Sequence, residues 1–186
     1  QRASESDRMR RYGPEGQRLW RLARGIDARG VTPDREAKVV LSETTFDRDI
    51  AELRPLEKRL WSLCEKVSAR LKAHSIAGTT ITLKLKTSEF RLRTRALSLE
   101  SPTALADRIF AAGRLLLARE IDGTRYRLIG IGVSSLCSLD NADAPDLVEA
   151  RIARLGAAER AMDKVRERFG RDALMRGITF EPESDR

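Results

Sequence analysis

From Thr80 to Lys86 polar and apolar residues alternate without exception, Ile81, Leu83 and Leu85 falling on one side of the chain and Thr80, Thr82, Lys84 and Lys86 on the other. An extended strand turns such a period of two into one buried and one solvated face, because successive side chains point to opposite sides. Residues 79–86 therefore predict a half-buried strand. A polar turn follows at residues 87–89, and residues 90–99 predict its hairpin partner, with Arg91, Arg93 and Arg95 on a common face.

The other elements can be placed around this hairpin. Residues 37–46 predict a strand in which Val39 and Leu41 oppose Lys38, Ser42 and Thr44. Ile50, Leu53, Leu56, Leu60, Leu63, Val67 and Leu71 recur at three- and four-residue steps, which predicts an amphipathic helix over 46–73. A second helix is predicted from Ser101 to about Arg119, and a last strand over 126–136 with Ile129, Ile131 and Val133 on one face. The order β-α-β-β-α-β predicts an α+β domain: a four-stranded sheet with both helices on one face and the other face bare. Before it, Ser4 and Gly13-Pro14 predict two short helices, followed by a glycine-rich linker. After it, residues 140–145 are acidic and polar, residues 157–169 predict one more helix, and the segment is expected to be a loosely attached tail.

Charge narrows the partners. Lys and Arg total 36 against 28 Asp and Glu, a formal net charge of +8 with a pI near 10.1, which favours an anionic partner. No apolar run reaches the roughly 20 residues needed to cross a bilayer, and the N-terminus has no signal-like apolar stretch, so a cytoplasmic protein is expected. Two cysteines without CxxC spacing and a single histidine, His74, suggest neither a disulfide framework nor a metal site, and no pairing of nucleophile with base is visible.

On the predicted bare face Lys38, Ser42, Thr44, Thr80, Thr82, Lys84 and Lys86 point outward, and the hairpin carries five cations against one anion. Cations and hydroxyls are the groups that hold phosphate oxygens. Gly130 and Gly132 would let a backbone approach closely, or mark a bulge. Modules of this element order that stack unpaired bases do so on exposed strand aromatics. Here those positions are Lys, Arg, Thr and Gly, so duplex backbone is the better fit. A second reading has the three arginines paired with glutamates on the helices, and the lysines as ordinary solvated surface.

Four runs of residues in one order complete the reading. Arg18-Leu-Trp20-Arg-Leu-Ala-Arg-Gly25-Ile-Asp27 is followed by Lys38-Val-Val-Leu-Ser42-Glu43-Thr44-Thr45-Phe46, by Leu83-Lys-Leu-Lys-Thr-Ser88-Glu-Phe90 with Thr94-Arg95, and by Tyr126-Arg-Leu-Ile-Gly130-Ile-Gly132-Val. Together, over residues 12–139, they resemble the C-terminal part of Y-family lesion-bypass DNA polymerases of the bacterial polymerase IV type. The resemblance implies the end of a thumb domain at residues 1–26, a tether at 27–36, a little finger domain at 37–139 and a C-terminal tail at 140–186. It also implies that the sheet lies in the major groove of primer-template or damaged duplex DNA, with Lys38, Ser42, Thr44, Lys84, Lys86, Ser88, Arg91, Arg93 and Arg95 as DNA contacts. Phe46 is given mainly a packing role.

In that family the nucleotide chemistry belongs to a palm domain whose acidic residues hold Mg²⁺. The resemblance implies that this chain lacks the palm, needs no cofactor of its own and is inactive alone, Asp140, Asp143 and Asp146 being read as a solvated loop. Family members carry a clamp-binding peptide of the form Gln-Leu-x-Leu-Phe. The nearest analogue here, Asp143-Ala-Pro-Asp-Leu147-Val148, lacks the glutamine and the final phenylalanine. A module that docks the replication sliding clamp or another acidic protein is therefore the alternative function.

Overall fold

The computed structural model describes residues 4–30, 37–143, 150–170 and 173–179. The chain divides into two compact units between residues 36 and 37. In the first, helix α1 (Glu5–Leu22) starts where the sequence places it: the Ser4 hydroxyl accepts from the Asp7 N–H and caps the first turn. Gly13, at φ 62° and ψ −154°, interrupts it, so two helical segments meet at the Gly13-Pro14 step. A residue with a Cβ adopts that backbone only under strain, whereas glycine does so freely.

The second unit has the predicted order: β1 (Val39–Ile50), α2 (Leu53–Ala73), β2 (Ile76–Thr87), β3 (Leu92–Thr103), α3 (Ala106–Ala118) and β4 (Tyr126–Ser138), then α4 (Ala150–Phe169). The strands form one antiparallel sheet in the spatial order β1-β4-β2-β3. Leu56, Leu60, Leu63, Val67 and Leu71 of α2 and Ile109 and Leu116 of α3 pack on Ile81, Leu83, Leu85, Ile129, Ile131 and Val133 of the two central strands. Every one of these side chains is buried. At about 25 cal/mol per Å² of apolar surface, burying each contributes roughly 1.5–3 kcal/mol. Trp61 and Phe110 join the helices edge to face, their centroids 5.2 Å apart.

Element boundaries differ from the sequence expectation at two places. β1 continues to Ile50, and α2 begins at Leu53 rather than at Phe46. The β-branched pair Thr44-Thr45 favours extension, and Pro55 suits the first helical turn, where its missing N–H would find no intrahelical partner. Ser101-Pro102-Thr103 ends β3 instead of opening α3; proline is tolerated at an edge strand's end because it donates nothing to the ladder.

α3 has no side-chain cap from its own N-cap residue, Leu105. Distant carboxylates replace it. Asp143 accepts from the Thr103 hydroxyl at 2.7 Å, the Ala104 N–H at 3.1 Å and the Arg108 guanidinium at 3.0 Å. Asp143 is therefore part of the fold, not of a solvated loop. Glu159 of α4 accepts from the Ala106 N–H at 3.0 Å, the Ser68 hydroxyl at 2.9 Å and the Lys72 ammonium at 2.6 Å. Asp163 also pairs with Lys72, and Arg166 with Glu65. The helix of the C-terminal segment is thus anchored to α2 and α3 and is not loosely attached. It also begins earlier than residue 157. The polar end at residues 181–186 lies outside the described residues.

Candidate nucleic-acid interface

Because directly opposed residues on neighbouring strands share a face, the strand registers define the uncovered side of the sheet as four rows. They run Val39-Ser134-Thr80-Ser98, Leu41-Gly132-Thr82-Ala96, Glu43-Gly130-Lys84-Thr94 and Thr45-Leu128-Lys86-Leu92. Six hydroxyls, Lys84 and Lys86 dominate its polar part. Gly130 and Gly132 leave a trough along β4 between the side chains of β1 and β2. A Cβ at 130 would lie 2.9 Å from the Glu43 Cβ, so side chains there would both fill the trough and push β1.

Of the seven residues expected to point outward from this face, Thr80, Thr82, Lys84 and Lys86 do so, and of the nine expected DNA contacts only Lys84 and Lys86 lie on it. Lys84 and Lys86 are as predicted; Lys84 is held by Glu43 at 2.7 Å, which neutralises half of the face's cationic charge. Ser42 is buried and Thr44 half-buried, both in phase with Val40 and Phe46 on the helix side, while Val39 and Leu41 are exposed on the open side. The phase of β1 is the reverse of the sequence expectation. Val39-Val40-Leu41 is apolar throughout, so either parity satisfies it locally, and the packing of Val40 and Phe46 under the helices decides. Lys38 is exposed at the bend before β1, and Ser88 is exposed in the hairpin turn, where its N–H donates to the Arg125 carbonyl.

The arginines also need correction. Arg93 and Arg95 do share a face, but it is the helix side, opposite Leu85 and Leu83. There Arg93 donates to Glu120 at 3.2 Å, Asp122 at 3.0 Å, the Tyr126 hydroxyl at 3.0 Å and Thr124 at 3.1 Å, and Arg95 reaches the other Glu120 oxygen at 2.7 Å. The Glu120 carboxylate is buried, so these pairs close the α3–β4 corner. Arg91 is exposed, against Glu89 at 3.3 Å. Arg93 and Arg95 thus pair with a glutamate, as in the second reading, but with one in the turn after α3 rather than on a helix.

Hydrogen bonds from Thr124, with Arg93 beside it, hold the Asp122 carboxyl down at about 2. A depressed carboxyl contributes stability above its unfolded pKa, near 3.9, and loses it as the pH falls through the folded one. The Thr124 amide is accordingly expected to keep its protection, measured against the intrinsic exchange rate at each pH, at pH 4 and to lose it as the pH approaches 2. Hydrogen exchange across that window would show it, and a flat profile would contradict the pairing.

Two residues without an assigned role stand at the hairpin end of the face. Phe90 is 61% exposed; the Arg127 guanidinium lies 4.1 Å and the Lys86 ammonium 5.1 Å from its ring centroid. Each falls within one of the motif runs, but a cation and an aromatic separated by 37 positions carry no local signal of their contact. Among the described residues no group of three His, Cys, Asp or Glu is placed to hold a metal ion, and no helix is long and apolar enough to cross a membrane. Beyond Asp143 the clamp-peptide analogue lies outside the described residues.

A four-stranded sheet backed by two helices and, among the described residues, uncovered on a hydroxyl- and lysine-bearing face defines an open-faced α+β module. Residues 37–147 match the impB/mucB/samB family C-terminal domain, and the chain belongs to that family. It is 56% identical over 180 residues to DNA polymerase IV 1 of Mesorhizobium japonicum and 52% identical over 180 to DNA polymerase IV of Brucella melitensis, in each case over 97% of this chain. It spans 41% and 40% of those relatives' lengths. These likenesses agree with the Y-family polymerase IV resemblance drawn from the motifs. Among solved structures, the chain resembles a complex of the beta-clamp processivity factor with the little finger domain of a polymerase IV (TM-score 0.45, 23% identity, 52% of this chain and 86% of that one). It also resembles a Y-family DNA polymerase chimera (TM-score 0.47, 12% identity, 73% and 39%).

Proposed function

We propose that residues 37–143 form the little finger of a lesion-bypass DNA polymerase and seat the backbone of primer-template duplex on the open sheet face. The observation that carries this reading is the face itself: four strands wide, uncovered among the described residues, and lined by hydroxyls, two lysines and a glycine trough. Hydroxyls hydrogen-bond phosphate oxygens, the glycine trough gives a DNA backbone room to approach, the lysines release counterions, and none of these groups reads base sequence. In this reading nucleotide transfer, with dNTPs and Mg²⁺, belongs to the palm of the whole protein and not to this module.

Fluorescence anisotropy with primer-template DNA tests the proposal. Binding that weakens with salt along a log–log slope of about −1.8 or steeper supports it, since two engaged phosphates give that value. Binding indifferent to salt would refute it. Glu43 makes the test sharper. Replacing it by glutamine frees Lys84 from a competing carboxylate, and affinity at low salt is expected to rise about three-fold; an unchanged or weaker affinity would remove Lys84 from the interface.

Exposed Val39 and Leu41 on the same face support the second reading, a protein partner such as a sliding clamp, since apolar side chains do not hold phosphate. A clamp that binds this chain with an affinity unaltered by Val39→Ser/Leu41→Ser would count against it.

A further inference from the structure

Lys84 is paired with Glu43, Arg91 with Glu89, and Arg93 and Arg95 with Glu120. Lys86 and Arg127 have no carboxylate partner among the described residues, yet both lie against one exposed ring. That ring is held in place at some cost. Phe90 has φ 65°, a left-handed backbone that a bulky residue adopts only where its surroundings over-determine it. Here they do. The Phe90 N–H donates to the Thr87 carbonyl at 2.9 Å, Thr87 N–H to the Arg91 carbonyl at 2.9 Å, Arg91 N–H to the Thr87 hydroxyl at 3.2 Å, and Ser88 N–H to the Arg125 carbonyl at 2.9 Å. The turn thus fixes an aromatic face in solvent, and it is there that the two unpaired cations gather, held by the ring's negative face despite their mutual repulsion.

We propose that Lys86 and Arg127, held against Phe90, form one phosphate-binding site at the hairpin end of the open face, with Phe90 as its positioning residue. The inference rests on the DNA-docking reading and adds to it a residue of β4 and an aromatic that touches no phosphate itself. A phosphate bound between two cations that lie against one ring draws on both charges, and the ring contacts reduce the ordering cost of the two long side chains.

The test uses this chain with two probes, primer-template DNA followed by anisotropy and inorganic pyrophosphate followed by NMR of the Phe90 ring and the Arg127 Nε–H. Phe90→Leu is expected to weaken DNA binding about three- to ten-fold with no change in charge, and Phe90→Tyr to stay within two-fold of the parent. Lys86→Ala/Arg127→Ala is expected to flatten the salt slope by about 0.9, the value for a single shared phosphate. A loss of about 1.8, or a Phe90→Leu affinity equal to the parent's, would overturn the proposal while leaving DNA docking intact. Should the chain bind no DNA at all, the docking reading falls and pyrophosphate decides. Ring and guanidinium shifts that saturate together, and vanish in Lys86→Ala, support the site; no shifts overturn it. Since Phe90 is mostly exposed, its substitution should leave the thermal midpoint within about 2 °C, which separates these outcomes from unfolding.

Discussion

Glu159→Ala is expected to lower the melting temperature by roughly 5–10 °C, the equivalent of about 2–3 kcal/mol for a chain of this size. One carboxylate oxygen takes three donors: the Ser68 hydroxyl, the Lys72 ammonium and the first N–H of α3. Alanine would leave that N–H buried and unpaired at a helix start that has no cap of its own. It would also leave Lys72 with Asp163 alone. Burial alone would lower the Lys72 pKa; the hydrogen bonds it donates to Asp163 and Glu159 outweigh it and the net direction is upward. A raised lysine pKa contributes stability that is complete below the unfolded value, near 10.4, and is lost as the pH rises through the folded one. The deficit of the variant should therefore be constant around neutrality. Glu159→Gln keeps the amide oxygen as acceptor and is expected to recover about half of the loss. Differential scanning calorimetry measures both, and an unchanged midpoint for Glu159→Ala would restore the picture of a loosely attached tail.

How far this structure was legible follows from where its determining interactions sit. The alternation of β2 was decisive because both faces of a central strand are set by the strand itself: Ile81, Leu83 and Leu85 are buried and Lys84 and Lys86 are not. The element order followed from periodicity in the same way. β1 failed because three consecutive apolar residues accept either phase, and a slip of one residue exchanges every side chain between faces. The pairing of Glu43 with Lys84 would have fixed the phase, but it joins residues 41 positions apart. The arginines failed on register across the hairpin: their common parity was read correctly, while the face that parity meets depends on where the Thr87–Arg91 turn closes. Asp143 and Glu159 look like surface carboxylates in sequence. Only the missing cap at Leu105, seen once the helix boundary is known, shows what they supply. The Phe90 cluster was invisible for the same reason, since Arg127 reaches it from another strand.

The corrected faces make opposite predictions for two sets of cations. Lys84→Ala/Lys86→Ala/Arg127→Ala should weaken primer-template binding on the order of 50-fold at 0.1 M salt and flatten the log–log slope by about 1.8, the loss of one phosphate at Lys84 and one shared by the other two. Little effect on stability is expected, because Lys84 is only partly covered, in an exposed pair with Glu43, and the other two make cation–π contacts on an exposed ring. Arg93→Ala/Arg95→Ala should do the reverse. Those guanidiniums face the helix side and satisfy the buried Glu120, so their loss leaves a buried carboxylate without a cation and lowers the melting temperature. DNA affinity is expected to stay within about three-fold and the slope to stay within 0.5. Anisotropy titrations at 50, 100 and 200 mM salt, paired with melting curves, separate the two sets. Were the arginine pair to flatten the slope by about two while the melting point held, phosphate binding would lie along the β3 edge, and the open face would have to give up its role as the principal contact.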